Sequence, residues 1–143
     1  MHSARIEVRV RYVETDKMGI AHHTHHFSWM EQARTELMRR NGLSYRELEQ
    51  KGFMLPVREA FCRYRRGLPY DERVTVEAEL LQIGGASLKI GYRMYRFSDN
   101  ALAAEGYTLH PFTDSSGKIV KAPEFFIKLF SSPSPQSSPE ESG

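Results

Sequence analysis

The chain has 143 residues, of which 40% are hydrophobic and 27% are charged, and its formal net charge is +2. This length suits one domain with an ordinary hydrophobic core, and the composition is typical of a soluble globular protein. The small net charge argues against nucleic acid as the partner, and no apolar run reaches the length of a membrane span. The single cysteine, Cys62, excludes an internal disulfide, and no secretory signal is visible. A cytoplasmic protein is expected.

Periodicity predicts the elements in chain order. Alternation of charged and apolar residues from Arg5 to Tyr12 predicts a half-buried strand, and helical spacing from Thr24 to Asn41 predicts a long helix with one apolar face. A capping box at Ser44 predicts a short second helix. Further strands are expected at residues 53–66, 73–83, 87–97 and 102–113, followed by a short helix at 123–130.

Hairpin-joined strands with segregated helices indicate an α+β fold. The economical arrangement is one five-stranded antiparallel sheet wrapped around the long helix, in a single domain formed by residues 1–130. Residues 131–143 are rich in serine and proline and contain no apolar residue, so they are expected to form a disordered tail.

Candidate chemistry is concentrated between Tyr12 and Arg34. Asp16 and Gly19 lie in the loop after the first strand, and four histidines at positions 22, 23, 25 and 26 lie around the expected helix start. A carboxylate, imidazoles and a helix N-terminus thus converge, which suits stabilisation of developing negative charge. Asp16 could instead only cap a turn, a role that aspartate often takes.

A metal site is the alternative use of the histidines. His22 and His26 are four residues apart and, with Asp16, would make a three-ligand zinc site. No second ligand cluster and no HExxH motif accompany them. We therefore expect neither a metal nor another cofactor, and glycine-loop motifs for nucleotides are absent from the sequence.

Charged residues occur on the apolar face of the long helix and along the second strand. Arg34 falls in the middle of the apolar helix face, and Glu31 lies one turn earlier, which favours a structural ion pair over a catalytic role for Glu31. Arg63 and Arg65 alternate along the second strand, with Arg66 beside them. Guanidinium groups suit the phosphates of coenzyme A, although a solvated sheet face is an equally good interpretation.

Several segments together resemble the hot-dog fold, specifically acyl-CoA thioesterases of the 4-hydroxybenzoyl-CoA thioesterase and YbgC type. The resemblance covers about residues 5–125, and its order and spacing make it specific. The similar segments are Tyr12-x-x-x-Asp16-x-x-Gly19-x-x-x-His23, Trp29-x-Glu31-x-Ala33-Arg34-x-Glu36, Leu55-Pro56-Val57, Cys62-Arg63-Tyr64-Arg65-Arg66 and Glu105-Gly106-Tyr107-Thr108.

The resemblance implies that Asp16 is the catalytic carboxylate, as nucleophile or as base for water, and that Tyr12 and His23 take part. By the same resemblance, the backbone N–H near His23 would polarise the thioester carbonyl. Gly19 and the three arginines, Arg63, Arg65 and Arg66, are the expected substrate-binding residues, the arginines because of their guanidinium chemistry. It further implies an acyl-CoA substrate with a small or medium acyl group, aromatic groups included, and assembly as a homodimer or homotetramer. His25 and His26 depart from the pattern and leave the acyl-pocket lining open.

The chemistry fits these residues because a thiolate, with a parent pKa of about 8.5, leaves with little help from a general acid. One ionised carboxylate and good oxyanion donors could therefore suffice. Two other functions stay open at this point: a non-catalytic acyl-CoA binding module, and an acyl-thioester hydratase or dehydratase on the same fold.

Overall fold

The structure, a computed structural model, describes residues 2–131. Five antiparallel strands form one sheet in the order β1-β3-β4-β5-β2, with bounds β1 Ser3–Arg9, β2 Glu59–Tyr64, β3 Arg73–Gly84, β4 Ser87–Arg96 and β5 Leu102–Pro111. The helices are α1 Thr24–Arg40, α2 Tyr45–Gln50 and α3 Glu124–Ser131, and a 3₁₀ turn spans Tyr12–Glu14. The predicted α+β fold with a five-stranded antiparallel sheet is confirmed.

Helix α1 supplies one wall of the core. Its apolar residues recur at helical spacing, so Met30, Ala33 and Leu37 are fully buried. Alternate residues of the central strands face them, including Val76 on β3 and Ile90 on β4. Burial of each leucine- or isoleucine-sized side chain contributes about 1.5–3 kcal/mol, which fixes the helix against the sheet.

Two predicted strands are shorter than expected. Strand β1 ends at Arg9, because the chain turns at Val10, where it bonds to residues 71–72. The Val10 N–H donates to Glu72 O, and the Asp71 N–H donates to Val10 O, each at 2.9 Å. Strand β2 begins only at Glu59, because Pro56 has no N–H for the sheet ladder. The predicted second helix is confirmed, with the Ser44 capping box formed.

Strand β2 is an edge strand and closes tightly on β5. A Cβ at Gly106 would lie 2.0 Å from the carbonyl oxygen of Phe61, so only glycine permits this pairing. The free edge of β2 carries exposed aromatic side chains, Phe61 and Tyr64. The strand therefore ends beside the start of α1 with one edge unpaired within residues 2–131.

The predicted tail at 131–143 falls almost entirely outside the described residues: Ser131 is the last residue of α3, and 132–143 lie beyond the described part of the chain. None of the helices within residues 2–131 is long and apolar enough to cross a membrane.

Candidate active site

A cavity of about 310 Å³ brings together residues from the Asp16 loop, the start of α1 and the end of β2. We call it the Asp16 cavity. Its lining includes Asp16 and His23 together with Tyr64, Arg65 and Arg66. Four of the residues predicted to act on substrate (Asp16, His23, Arg65 and Arg66) therefore meet in one place.

The Asp16 side chain caps its own loop with one oxygen. Its Oδ1 accepts hydrogen bonds from the Met18 N–H at 2.8 Å and the Ile20 N–H at 3.3 Å. Gly19 adopts a φ of 76°, a conformation that a residue with a Cβ resists. Oδ2 makes none of the hydrogen bonds found in the described part of the chain. The turn-capping role and a chemical role are thus compatible, because each can use a different carboxylate oxygen.

Backbone hydrogen bonds hold this loop against the segment that follows β2. The Ala21 N–H donates to Leu68 O at 2.8 Å, and the Tyr70 N–H donates to Gly19 O at 3.1 Å. Asp16 N also donates to Ile20 O at 2.8 Å, closing the loop on itself. The carboxylate is therefore exposed but attached to a fixed backbone.

The N-terminus of α1 faces the same cavity through His23, its N-cap residue. No side chain caps this helix start in the usual way, and no acidic residue occupies the first turn. Instead, His22 Nδ1 accepts from the Thr24 N–H at 3.3 Å. Among residues 2–131 the His23 N–H has no hydrogen-bond partner. The positive end of the helix dipole and one free donor are thus available to an oxyanion.

Tyr64 connects β2 directly to this helix start. Its hydroxyl donates to the His23 carbonyl oxygen at 3.0 Å, and its ring packs edge-on against the rings of His23 and His26 at 6.0 and 4.7 Å. Burial raises the pKa of Tyr64 to about 12, so the phenol stays protonated and remains a donor at neutral pH. Sequence reasoning missed this contact, although strand alternation does place Tyr64 on the face opposite Arg63.

His26 forms a neutral wall of the cavity. Only 4% of the residue is exposed, and burial lowers its pKa to about 4. Its ring packs against Trp29 at 4.9 Å as well as against Tyr64. At neutral pH this side therefore presents an uncharged imidazole and aromatic rings.

Three predicted site residues do not line the Asp16 cavity, and one of them, Gly19, lies in the Asp16 loop itself. Tyr12 is 77% exposed and contacts Tyr70 edge-on, and it does not line the Asp16 cavity. Arg63 lines a separate cavity together with the stacked rings of Phe61 and Tyr107. Only Arg65 and Arg66 of the three arginines face the Asp16 cavity, and Arg65 also pairs with Glu105.

Glu31, the alternative acid, lies in a different cavity from Asp16. Its side chain is 66% exposed, and Oε2 is 4.0 Å from Arg34 Nη2, in line with the predicted pairing. Within the described residues no group of three or more histidine, cysteine, aspartate or glutamate side chains could hold a metal ion. Asp16, His22 and His26 thus do not assemble the alternative zinc site.

One five-stranded antiparallel sheet packed on a long helix is the architecture of the hot-dog class. The chain belongs to the thioesterase-like superfamily, which it matches over residues 10–130.

Named relatives agree with this assignment. YneP of Bacillus subtilis (strain 168) is 37% identical over 95 residues, which are 66% of this chain and 69% of YneP. The acyl-CoA thioester hydrolase YbgC of Escherichia coli O6:H1 is 29% identical over 105 residues, 73% of this chain and 78% of YbgC. A solved structure of DHNA-CoA thioesterase from Staphylococcus aureus superposes with a TM-score of 0.85 at 25% identity, covering 92% of this chain and 90% of that one.

Proposed function

We propose that the protein is an acyl-CoA thioesterase in which Asp16 acts on the thioester carbonyl. The observation that carries this proposal is the shared cavity of Asp16 and the uncapped N-terminus of α1. A carboxylate with a free oxygen shares this cavity with an unpaired backbone donor, and acyl transfer needs both groups.

Two reaction routes use the same atoms. Asp16 Oδ2 can attack the carbonyl carbon, expel the coenzyme A thiolate and form an acyl anhydride, which water then hydrolyses to the free acid and the restored carboxylate. Alternatively, Asp16 takes a proton from a water molecule while that water attacks the carbonyl and the thiolate leaves, and the proton then passes to the thiolate or to solvent, which restores the carboxylate. In both routes the N–H near His23 hydrogen-bonds to the carbonyl oxygen as negative charge develops there. A role for Tyr12 in this reaction would need a contact with the Asp16 cavity that residues 2–131 of one chain do not make.

The cavity walls indicate how substrate would be held. Ile20, Leu68 and the rings of Tyr64 and His26 offer an uncharged surface to a small or medium acyl group, aromatic groups included. Arg65 and Arg66 lie at the same cavity and suit the phosphates of coenzyme A. Gly19 serves by shaping the Asp16 loop. Arg63 lies outside this cavity and has no part in the binding mode proposed here.

Assembly as a homodimer or homotetramer is part of the proposal. The unpaired edge of β2 and the exposed side chains of Phe61 and Tyr64 would be covered by a second copy. Further apolar residues next to Asp16 are exposed as well, namely Tyr12, Val13 and Met18. Sedimentation should show a dimer or larger at assay concentration, and a fully active monomer would contradict this. We further propose a cytoplasmic location, where coenzyme A thioesters are available.

Release of free coenzyme A thiol, followed with a trapping reagent over short, long and aromatic acyl-CoAs, tests the activity. A chelator is present throughout, because no metal is assigned a role. Thiol release with at least one acyl-CoA is expected. Tight binding without thiol release would favour a binding module, and a changed acyl group without thiol release would favour a hydratase or dehydratase.

A further inference from the structure

A second cavity, of about 250 Å³, lies between α1, α2 and the segment that precedes β2. We call it the Arg34 cavity. It shares no lining residue with the Asp16 cavity. Leu48, Phe53 and Leu55 form apolar walls, and Arg34 contributes the one cationic side chain among its lining residues.

The charge of Arg34 is poorly compensated for its degree of burial. The residue is only 9% exposed, and its charged partner, Glu31, approaches no closer than 4.0 Å. Glu31 itself is mostly in solvent, with 66% of its side chain exposed. A buried guanidinium is costly unless several of its five N–H groups are bonded to acceptors. Within residues 2–131, this long contact to an exposed acid is the ion pair found for Arg34.

The neighbouring groups of Arg34 on the core side are uncharged. The Tyr92 hydroxyl interacts with the Arg34 side chain and is also hydrogen-bonded to Thr108 Oγ1 at 2.7 Å. The Tyr45 hydroxyl also lies beside Arg34, yet it has no hydrogen bond of normal geometry within the described residues. His110 bonds to the same Thr108 hydroxyl at 2.8 Å, and burial together with the nearby Arg34 charge lowers its pKa to about 4. Among the described residues, Glu31 is therefore the anionic group paired with Arg34, and the other close neighbours are uncharged.

From this geometry we propose that the Arg34 cavity is a binding site for a small monocarboxylic acid with an apolar group. The carboxylate would pair with the guanidinium in the two-point manner that arginine favours, and the apolar group would lie against Leu48, Phe53 and Leu55. The volume is below the usual range of drug-sized pockets, which limits the ligand to a small acid.

Two acidic residues line the Arg34 cavity, and their negative charges should weaken the binding of a carboxylate. Glu31 competes for Arg34, and Glu49 adds a second negative charge to the lining. A bound carboxylate must displace Glu31 from Arg34, and it is repelled by the charge of Glu49. Removal of either charge should therefore tighten binding, whereas a purely structural Glu31–Arg34 pair would give no such gain.

The probe is benzoate, with benzyl alcohol as its uncharged counterpart, titrated into the full chain and followed by amide NMR. Saturable binding is expected with a dissociation constant of about 1 mM or below, and benzyl alcohol should bind at least about tenfold more weakly. Shifts should centre on Thr35 and Leu48, which line this cavity, and not on the start of α1. Shifts confined to Thr24 and its neighbours would place benzoate at the proposed catalytic site and overturn the inference.

Matched variants complete the test. Glu31→Gln should tighten benzoate binding about two- to fivefold, the range for removal of one exposed charge interaction, while Glu124→Gln on α3 should change nothing. Glu124 is a suitable control because it also pairs with a cation, Lys128, but lies outside the cavity. Arg34→Met should abolish binding. Should that variant fail to fold, Thr35→Glu, which adds a negative charge to the rim, should weaken binding instead.

Absence of saturable binding, or unchanged affinity in Glu31→Gln, would overturn the proposal. The free acid released by acyl-CoA hydrolysis belongs to the proposed ligand class, so the cavity would be a site for product feedback. That physiological link rests on the proposed function, whereas the benzoate measurement does not, so either proposal can fail alone.

Discussion

The hydrogen bond from Tyr64 to the His23 carbonyl offers a direct test of how the cavity is held in shape. Tyr64→Phe removes only the hydroxyl and keeps the ring that packs on His26 at 4.7 Å. A neutral hydrogen bond contributes about 1 kcal/mol, so the folded protein should lose no more than that in stability.

The expected effect on the reaction is larger than the effect on stability. Tyr64 is the contact that joins the end of β2 to the carbonyl of the α1 N-cap residue, at 3.0 Å. Misplacement of reacting groups by 1 Å can cost about a hundredfold, and we expect loss of this one contact to lower kcat by about tenfold. KM should change less than about twofold, because the walls and arginines of the cavity are retained.

The assay is steady-state thiol release with a good acyl-CoA, measured beside thermal unfolding. Tyr107→Phe is the matched control, since it also removes a phenol hydrogen bond to β2, the 2.6 Å contact to Glu59, but lies away from the Asp16 cavity. Tyr107→Phe should unfold at a slightly lower temperature than the parent and have the same kcat. An unchanged kcat in Tyr64→Phe would refute the reasoning. An equal loss of kcat in Tyr64→Phe and Tyr107→Phe would refute it as well.

Two further predictions concern stability. Burial lowers the pKa values of His26 and His110 to about 4, so these histidines stay neutral in the folded protein at a pH where they are protonated in the unfolded chain. As the pH falls from 8 to 5, each of them should therefore lower the free energy of unfolding by about 2 kcal/mol. Chemical denaturation at both pH values should show this loss, and His26→Phe should reduce it by about half. Gly106→Ala should destabilise the fold by at least about 2 kcal/mol, because the new Cβ would lie 2.0 Å from the Phe61 carbonyl oxygen. A Tm equal to that of the parent would contradict this.

Elements governed by local chemistry could be predicted from the sequence. The spacing of Met30, Ala33 and Leu37 predicted α1 and its buried face, and the Ser44 capping box predicted α2. Strand ends were less predictable, because they depend on distant partners. Tyr12 fits the alternation of β1, yet the chain turns away after Arg9, where Val10 bonds to the segment at residues 71–72.

The candidate site was predictable in its chemistry but not in its geometry. Asp16 and His23 are close in sequence, so their convergence followed from the loop and helix pattern. Tyr64 could not be placed against His23 without the strand order, because β2 reaches α1 only through its pairing with β5. Arg63 lies on β2 and Arg65 lies just beyond its end, and the two line different cavities, a difference that a run of charges in sequence does not reveal.

The role of Asp16 is tested most directly by kcat for Asp16→Asn with a good acyl-CoA substrate. Asparagine keeps a side-chain oxygen for the Met18 and Ile20 N–H groups, so the loop should stay closed, but its amide is far less nucleophilic and less basic. We predict a kcat lower by at least about a hundredfold with coenzyme A affinity within about threefold, because the lost interaction belongs to the transition state. A folded Asp16→Asn protein that keeps most of the parent kcat would contradict the proposed mechanism.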